Sequence, residues 1–215
     1  MSNERKEYVP TRAVVDEINN IPLHFIDYIT FSGRGEPTLA LNLGEMIRAI
    51  KAARREKVAV ITNGLLLGDE GVRRDLMDAD FVLVKLDAAN QDDFESVDGM
   101  GENFSAVIEG IKQFRRGYHG KMALQVMVLE QNIAHMGAIA DLARDIMPEE
   151  VQLNTPLRPS GAKPVGPSRM EWAKRLFEGL TVVTVFDAPL QTYAPMDDAA
   201  TISRHGNFRK TRSHI

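Results

Sequence analysis

Residues 27–38 read Asp27-Tyr28-Ile29-Thr30-Phe31-Ser32-Gly33-Arg34-Gly35-Glu36-Pro37-Thr38. A short apolar, β-branched run passes directly into a glycine-rich turn. Strands of a parallel sheet end this way, apolar on both faces and then flexible where the backbone leaves the sheet. The next stretch, about 41–55, places Leu43, Met46, Ile47 and Ile50 on one face at helical spacing.

The same unit recurs outward from there. Residues 57–61 (KVAVI) form the next expected strand, ending in Thr62-Asn63-Gly64, and 69–78 a helix whose acidic start suits the positive end of its dipole. Residues 81–86 (FVLVKL) form a strand with Asp87 at its carboxyl end. The helix 104–116 follows, with Phe104, Val107, Ile108, Ile111 and Phe114 on one side, broken by 117–120. Strands are expected at 122–129, 150–153 (ending at Asn154) and 181–186 (TVVTVF). Between them lie a helix over 134–147 stopped by Pro148 and a helix from 168 to about 179, with Ser168 as N-cap and Glu171 completing a capping box. Upstream, 8–20 is a helix candidate with Pro10 near its start and Val14, Val15 and Ile18 inward. No strand precedes it in the chain.

Strand–helix units with near-continuous apolar strands imply parallel pairing. An open doubly wound sheet and a closed or partial barrel both satisfy that pattern. No linker divides the chain, so one α/β domain is expected over 1–203, followed by a basic tail at 204–215; residues 155–167 read as a long loop after a strand.

The composition, with 44% hydrophobic and 26% charged residues, belongs to an ordinary globular domain. No apolar stretch approaches the roughly 20 residues needed to span a bilayer. The charged start at Met1–Glu7 carries no secretory pattern, so a cytoplasmic address is expected. A net charge of −4 speaks against a surface built broadly for nucleic acid. The basic tail leaves RNA contact open, against the plainer reading of a frayed terminus. There is no cysteine, which excludes disulfides, zinc–thiolate sites, cysteine nucleophiles and cysteine-ligated clusters within this chain.

In parallel βα folds ligands gather at the carboxyl ends of the strands. Those ends are 32–38, 62–64, Asp87, 129–132 and 154–156. Gly33 and Gly35 let backbone approach a ligand with no Cβ in the way, and Glu36 adds a carboxylate beside the exposed carbonyls. Grouped acceptors suit an ammonium group better than a phosphate. A plain tight turn explains the glycines equally, and a dinucleotide fingerprint is absent. Asn63 and Asn154 can hydrogen-bond a polar ligand edge, or Asn63-Gly64 simply turns the chain. Asp87 can grip a diol, or cap the following segment. The five histidines are scattered with no metal-ligand spacing, and no serine–histidine arrangement occurs. The loop 158–163 could hold an anion, though solvated charge is the plainer reading.

The run Tyr28-Ile-Thr-Phe-Ser-Gly-Arg-Gly-Glu-Pro-Thr38 resembles the second-strand motif of radical S-adenosylmethionine (SAM) enzymes. Residues 3–10, 60–64, 151–156 and 197–206 resemble the iron–sulfur oxidoreductase branch grouped with tRNA wyosine synthases, so the resemblance covers nearly the whole chain. It implies a partial (βα)6 TIM-like barrel. It also implies that Ser32, Gly33, Gly35 and Glu36 hold the SAM amino group, that Thr62 and Asn63 line the site's third-strand edge, that Asp87 contacts the ribose, and that Asn154 lies near the adenine or substrate. Family members carry a C-x3-C-x2-C loop after their first strand, whose thiolates bind a 4Fe–4S cluster. An electron from the cluster cleaves SAM to a 5′-deoxyadenosyl radical. The strand and the cysteines are absent here. The expectation is therefore an N-terminally shortened form of such an enzyme, inactive alone, with low stability or edge pairing to another chain. The alternatives are a cluster-less SAM-binding or scaffold module and a phosphate-binding barrel, the last disfavoured by the acceptor character of 32–36. The substrate is not legible.

Overall fold

The computed structural model describes residues 4–21, 26–33, 35–98, 102–157 and 161–187. Six strands form one parallel sheet in sequential order: β1 (Tyr28–Phe31), β2 (Lys57–Thr62), β3 (Phe81–Lys85), β4 (Lys121–Met127), β5 (Glu150–Asn154) and β6 (Val182–Thr184). Every pairing is parallel, from Tyr28↔Lys57 at one end to Leu153↔Thr184 at the other. Among the described residues the sheet does not close, so β1 and β6 are its edges. The expected partial α/β barrel of six βα-type strands is borne out. The proposed boundary at 203/204 and the basic tail lie outside the described residues.

The helices are α1 (Thr11–Asn20), α2 (Leu43–Ala53), α3 (Glu70–Leu76), α4 (Gln91–Asp98), α5 (Phe104–Gly117), α6 (Met136–Ile146) and α7 (Pro167–Leu176). Alternation along the strands divides the sheet. Val58, Val60, Val82, Val84, Met122, Leu124, Val126, Val151 and Leu153 are fully buried and join one core cluster with the inner faces of α2, α5 and α6. Burying one such side chain contributes about 1.5–3 kcal/mol. The intervening residues belong to the opposite face, where polar Lys57, Lys85, Gln125, Gln152 and Asn154 are mixed with apolar Ala59, Ile61, Leu83 and Ala123.

Two details set the helices in place. Gly110 lets α5 lie on the 3₁₀ turn Leu65–Gly68: a Cβ there would sit 2.6 Å from the Gly68 nitrogen. Gly120 leaves room for Tyr118, whose hydroxyl donates to the Ala79 carbonyl at 2.7 Å.

The helix boundaries match the periodicity closely, with two differences. The expected N-cap Ser168 lies inside α7. Pro167, whose fixed φ suits the first helical position, starts the helix earlier, and Gly166 caps it without a side-chain bond, so the Ser168–Glu171 capping box does not form. Helix α4 was not foreseen; its Gln91 side chain accepts the Phe104 N–H at 2.8 Å, and its Phe94 ring packs on Phe104 at 5.6 Å. On α7 the single tryptophan, Trp172, points outward, 42% exposed.

Candidate cofactor-binding site

The glycine-rich turn leaves β1 at the carboxyl edge of the sheet and is pinned there by Glu36. Glu36 caps the 3₁₀ turn Pro37–Leu39, its Oε1 accepting the Thr38 backbone N–H at 3.1 Å and the Thr38 hydroxyl at 2.7 Å. The same oxygen accepts the Thr62 hydroxyl at 2.6 Å, and Oε2 accepts the Asn63 N–H at 2.8 Å. The carboxylate expected to face a ligand is thus spent largely on joining the β1 turn to the end of β2. Gly33 and Gly35 are exposed, and a Cβ on either would meet nothing within 4 Å, so their backbone faces open space. Ser32, Gly33, Gly35 and Glu36 border a cleft of about 630 Å³ between β1, α1 and α2.

Thr62 is buried, its hydroxyl donating to Glu36 and accepting the Gly64 N–H at 3.1 Å. Asn63 Oδ1 accepts the Leu65 N–H at 3.1 Å, an Asx turn, and Gly64 adopts φ +79°. The turn-forming role of Asn63-Gly64 is therefore real, and it leaves the Asn63 amide nitrogen aside from that bond. Asn63 and Asp87 border a second, small cavity of about 20 Å³, roofed by Phe94 and Phe104.

Asp87 is nearly inaccessible, its side chain 2% exposed, with Oδ2 3.0 Å from the Lys85 ammonium. Its Oδ1 accepts the Met127 N–H at 2.6 Å, which fastens the end of β3 to β4. Met127 is in register with Asn154, whose carbonyl accepts the Val128 N–H at 2.7 Å. Of the expected residues, Ser32, Gly33, Gly35, Glu36, Thr62 and Asn63 form one connected group, whereas Asp87 and Asn154 belong to a second group across β3–β5.

Asn132, which closes the strand end 129–132, was given no role of its own by the sequence. Its side chain is buried and makes three bonds: Oδ1 accepts the Leu129 N–H at 2.9 Å, and Nδ2 donates to the Asp87 carbonyl at 3.1 Å and the Met127 carbonyl at 2.8 Å. A polar residue at a strand end, four positions before the helical periodicity of α6 begins, was the available signal. The loop residues Arg158, Pro159 and Ser160 lie outside the described residues, as does Arg34. His135 makes an unforeseen contact, Nδ1 lying 2.5 Å from Asp93 Oδ2 on α4.

A 4Fe–4S cluster does not fit this chain. The sequence holds no thiolate, and among the described residues no group of three His, Asp or Glu side chains could hold a metal ion. The open glycine backbone beside a roomy cleft does fit the amino-acid end of a small cofactor.

An open, six-stranded parallel sheet with its glycine-rich turn and polar strand ends at one rim is the architecture of a partial βα-barrel, a class whose ligand sites lie at that rim. The chain belongs to the Radical SAM superfamily, whose sequence model matches residues 1–143. A UPF0026 protein of Synechocystis sp. is 36% identical over 162 residues, 74% of this chain and 61% of that protein. A UPF0026 protein of Methanocaldococcus jannaschii is 29% identical over 180 residues, 78% of this chain and 55% of that protein. The chain thus spans less than two thirds of the curated relatives it matches here. Among solved structures, Streptococcus suis SuiB bound to S-adenosylmethionine superposes with a TM-score of 0.63 at 14% identity, covering 86% of this chain and 47% of that one. Archaeal TYW1 superposes with a TM-score of 0.59 at 13% identity, covering 80% and 59%. At these identities the likeness concerns the fold. No helix among the described residues is long and apolar enough to cross a membrane.

Proposed function

We propose that residues 1–215 are the SAM-binding portion of a radical SAM protein and that they bind SAM without cleaving it. The observation that supports this most directly is the exposed backbone of Gly33 and Gly35, held at the sheet's carboxyl rim by the Glu36 bonds to Thr62 and Asn63. Ser32, Gly33 and Gly35 would present carbonyl acceptors to the SAM ammonium. Glu36 would fix their geometry and add negative charge from behind, rather than serving as the main contact. The Asn63 amide and the Asp87 carboxylate would meet the nucleoside, Asp87 through Oδ2 once the Lys85 ammonium gives way. Asn154 would lie at the adenine or substrate end.

SAM supplies a sulfonium whose reductive cleavage yields a 5′-deoxyadenosyl radical. That cleavage needs an electron donor for which this chain has no ligands, so in any active form the cluster ligands come from outside residues 1–215. A cytoplasmic location is part of the proposal, supported by the sequence alone; for the basic tail a solvated terminus is the preferred reading over RNA contact. The second reading, a cluster-less binding module, gives the same titration result and differs only in whether activity returns when cysteine-bearing polypeptide is supplied.

Isothermal titration with SAM, alongside 5′-deoxyadenosine analysis under dithionite, tests the reading. Saturable SAM binding with no 5′-deoxyadenosine is expected. No heat at millimolar SAM with folded protein would overturn it.

A further inference from the structure

On the face of the sheet turned away from the helices, three adjacent strands carry a polar side chain at the same level. Lys85 of β3 is in register with Gln125 of β4, and Gln125 with Gln152 of β5. Strands of parallel βα sheets are ordinarily apolar on both faces. Two residues back along β3 and β4, the same face holds Leu83 and Ala123, in register and both buried. The polar row is therefore a local departure, made by three strands at once.

The charges around this row pair among themselves. Asp87 Oδ2 lies 3.0 Å from the Lys85 ammonium. Glu150 Oε2 lies 2.8 Å from the Lys121 ammonium, which also stands 5.3 Å over the Phe81 ring. Phe81 in turn packs on Tyr28 at 5.8 Å, so rings and an ion pair fill the amino-terminal end of this face. The carboxamides differ. Gln152 Nε2 donates to Glu150 Oε1 at 2.7 Å, which fixes that side chain and leaves its Oε1 as an acceptor. Gln125 is partly accessible, and its carboxamide makes no hydrogen bond among the described residues.

We propose that Gln125 and Gln152 form a substrate-recognition patch and that the substrate is a neutral small molecule with a cyclic amide edge. Because the charged groups are already paired, the carboxamides are left to recognise the ligand. A carboxamide holds a donor and an acceptor side by side in one plane. A lactam or imide ring offers the complementary N–H beside C=O and meets both at once. An alcohol meets one and leaves the other bare, which is costly where water is partly excluded. A trans peptide group points its N–H and C=O in opposite directions and cannot meet both. Gln152, about 4.8 Å away across the sheet, accepts a second N–H through Oε1. Met127, two residues nearer the rim than Gln125 on the same strand, supplies a thioether surface for the ring. Calling the ligand a substrate rests on the cofactor reading above; the recognition chemistry does not.

Uracil, an imide ring, and 1,3-dimethyluracil, the same ring without its N–H groups, are the probes, titrated by NMR into the full chain with and without SAM. Uracil should bind saturably, and 1,3-dimethyluracil about tenfold or more weakly than uracil. The assigned side-chain amide signal of Gln125 should shift with uracil and stay in place with 1,3-dimethyluracil. Gln125→Leu and Gln125→Glu should each weaken uracil binding about tenfold or more while SAM titration is unchanged. Gln113→Leu, on the exposed side of α5, should change neither. Three results overturn the proposal: equal binding of the two rings, uracil binding untouched by both Gln125 variants, or no uracil binding at its solubility limit. Uracil binding that follows this pattern in a chain that takes up no SAM would sink the cofactor reading and leave the recognition patch standing.

Discussion

Glu36 and Asn63 are joined across two strands, the Glu36 Oε2 accepting the Asn63 N–H at 2.8 Å, which ties the glycine-rich turn of β1 to the end of β2. Glu36→Ala removes an acceptor shared by Thr38, Thr62 and Asn63. Losing it leaves buried donors unmet, which costs about 1–3 kcal/mol. Urea unfolding of Glu36→Ala should show that loss, and SAM titration should show weaker binding than the destabilisation alone explains. Glu36→Gln, which turns an NH₂ toward one of those donors, should fall between.

Asn132 joins the ends of β3 and β4 through a fully used side chain. Asn132→Ala should lower stability by about 1–3 kcal/mol in urea melts, because a buried N–H and two carbonyls lose their partner. Since one of those carbonyls belongs to Asp87, hydrogen exchange at Met127 should accelerate more than exchange elsewhere in β4.

Gly110→Ala forces a methyl group into the backbone of Leu67 and Gly68. Overpacking of this kind costs about 1–3 kcal/mol. The variant should lose cooperativity in thermal unfolding, where a Gly137→Ala control, with open space around its Cα, should not.

Acid sensitivity should trace to Asp80. Burial opposes ionisation of Asp80, but the Lys51 ammonium at 2.7 Å and the Val58 N–H at 2.8 Å outweigh it and hold the carboxyl below its usual range. A carboxyl depressed in the folded state contributes stability above its unfolded pKa, about 3.9, and loses it as pH falls through the folded value. Asp80→Asn should therefore be less stable than the parent at pH 7, with the difference shrinking below about pH 4. Chemical denaturation at a series of pH values measures it.

The sheet was legible because its strands are continuous β-branched runs with helical periodicity between them; Val58, Val60, Val82 and Val84 announce burial on sequence alone. The cluster of Ser32, Gly33, Gly35, Glu36, Thr62 and Asn63 was legible because parallel strands end together at one rim. What sequence could not show is how a carboxylate spends its lone pairs. Glu36 and Asp87 read as ligand groups from their positions, and both prove to bond backbone N–H groups of a neighbouring segment. Helix α4 was hidden by its polar, acidic sequence, and its hold comes from Gln91 and Phe94 reaching Phe104, a tertiary relation with no local signature.

The sole indole of the molecule rides on α7, beside the last strand, while the glycine-rich turn belongs to the first. Intrinsic fluorescence will therefore monitor the far flank and stay nearly silent when a nucleoside settles at the turn. An unchanged emission spectrum would be no sign of failed binding. Optical assays need a reporter placed close to the turn, for which Leu41→Trp, at an exposed position just beyond it, is a suitable choice.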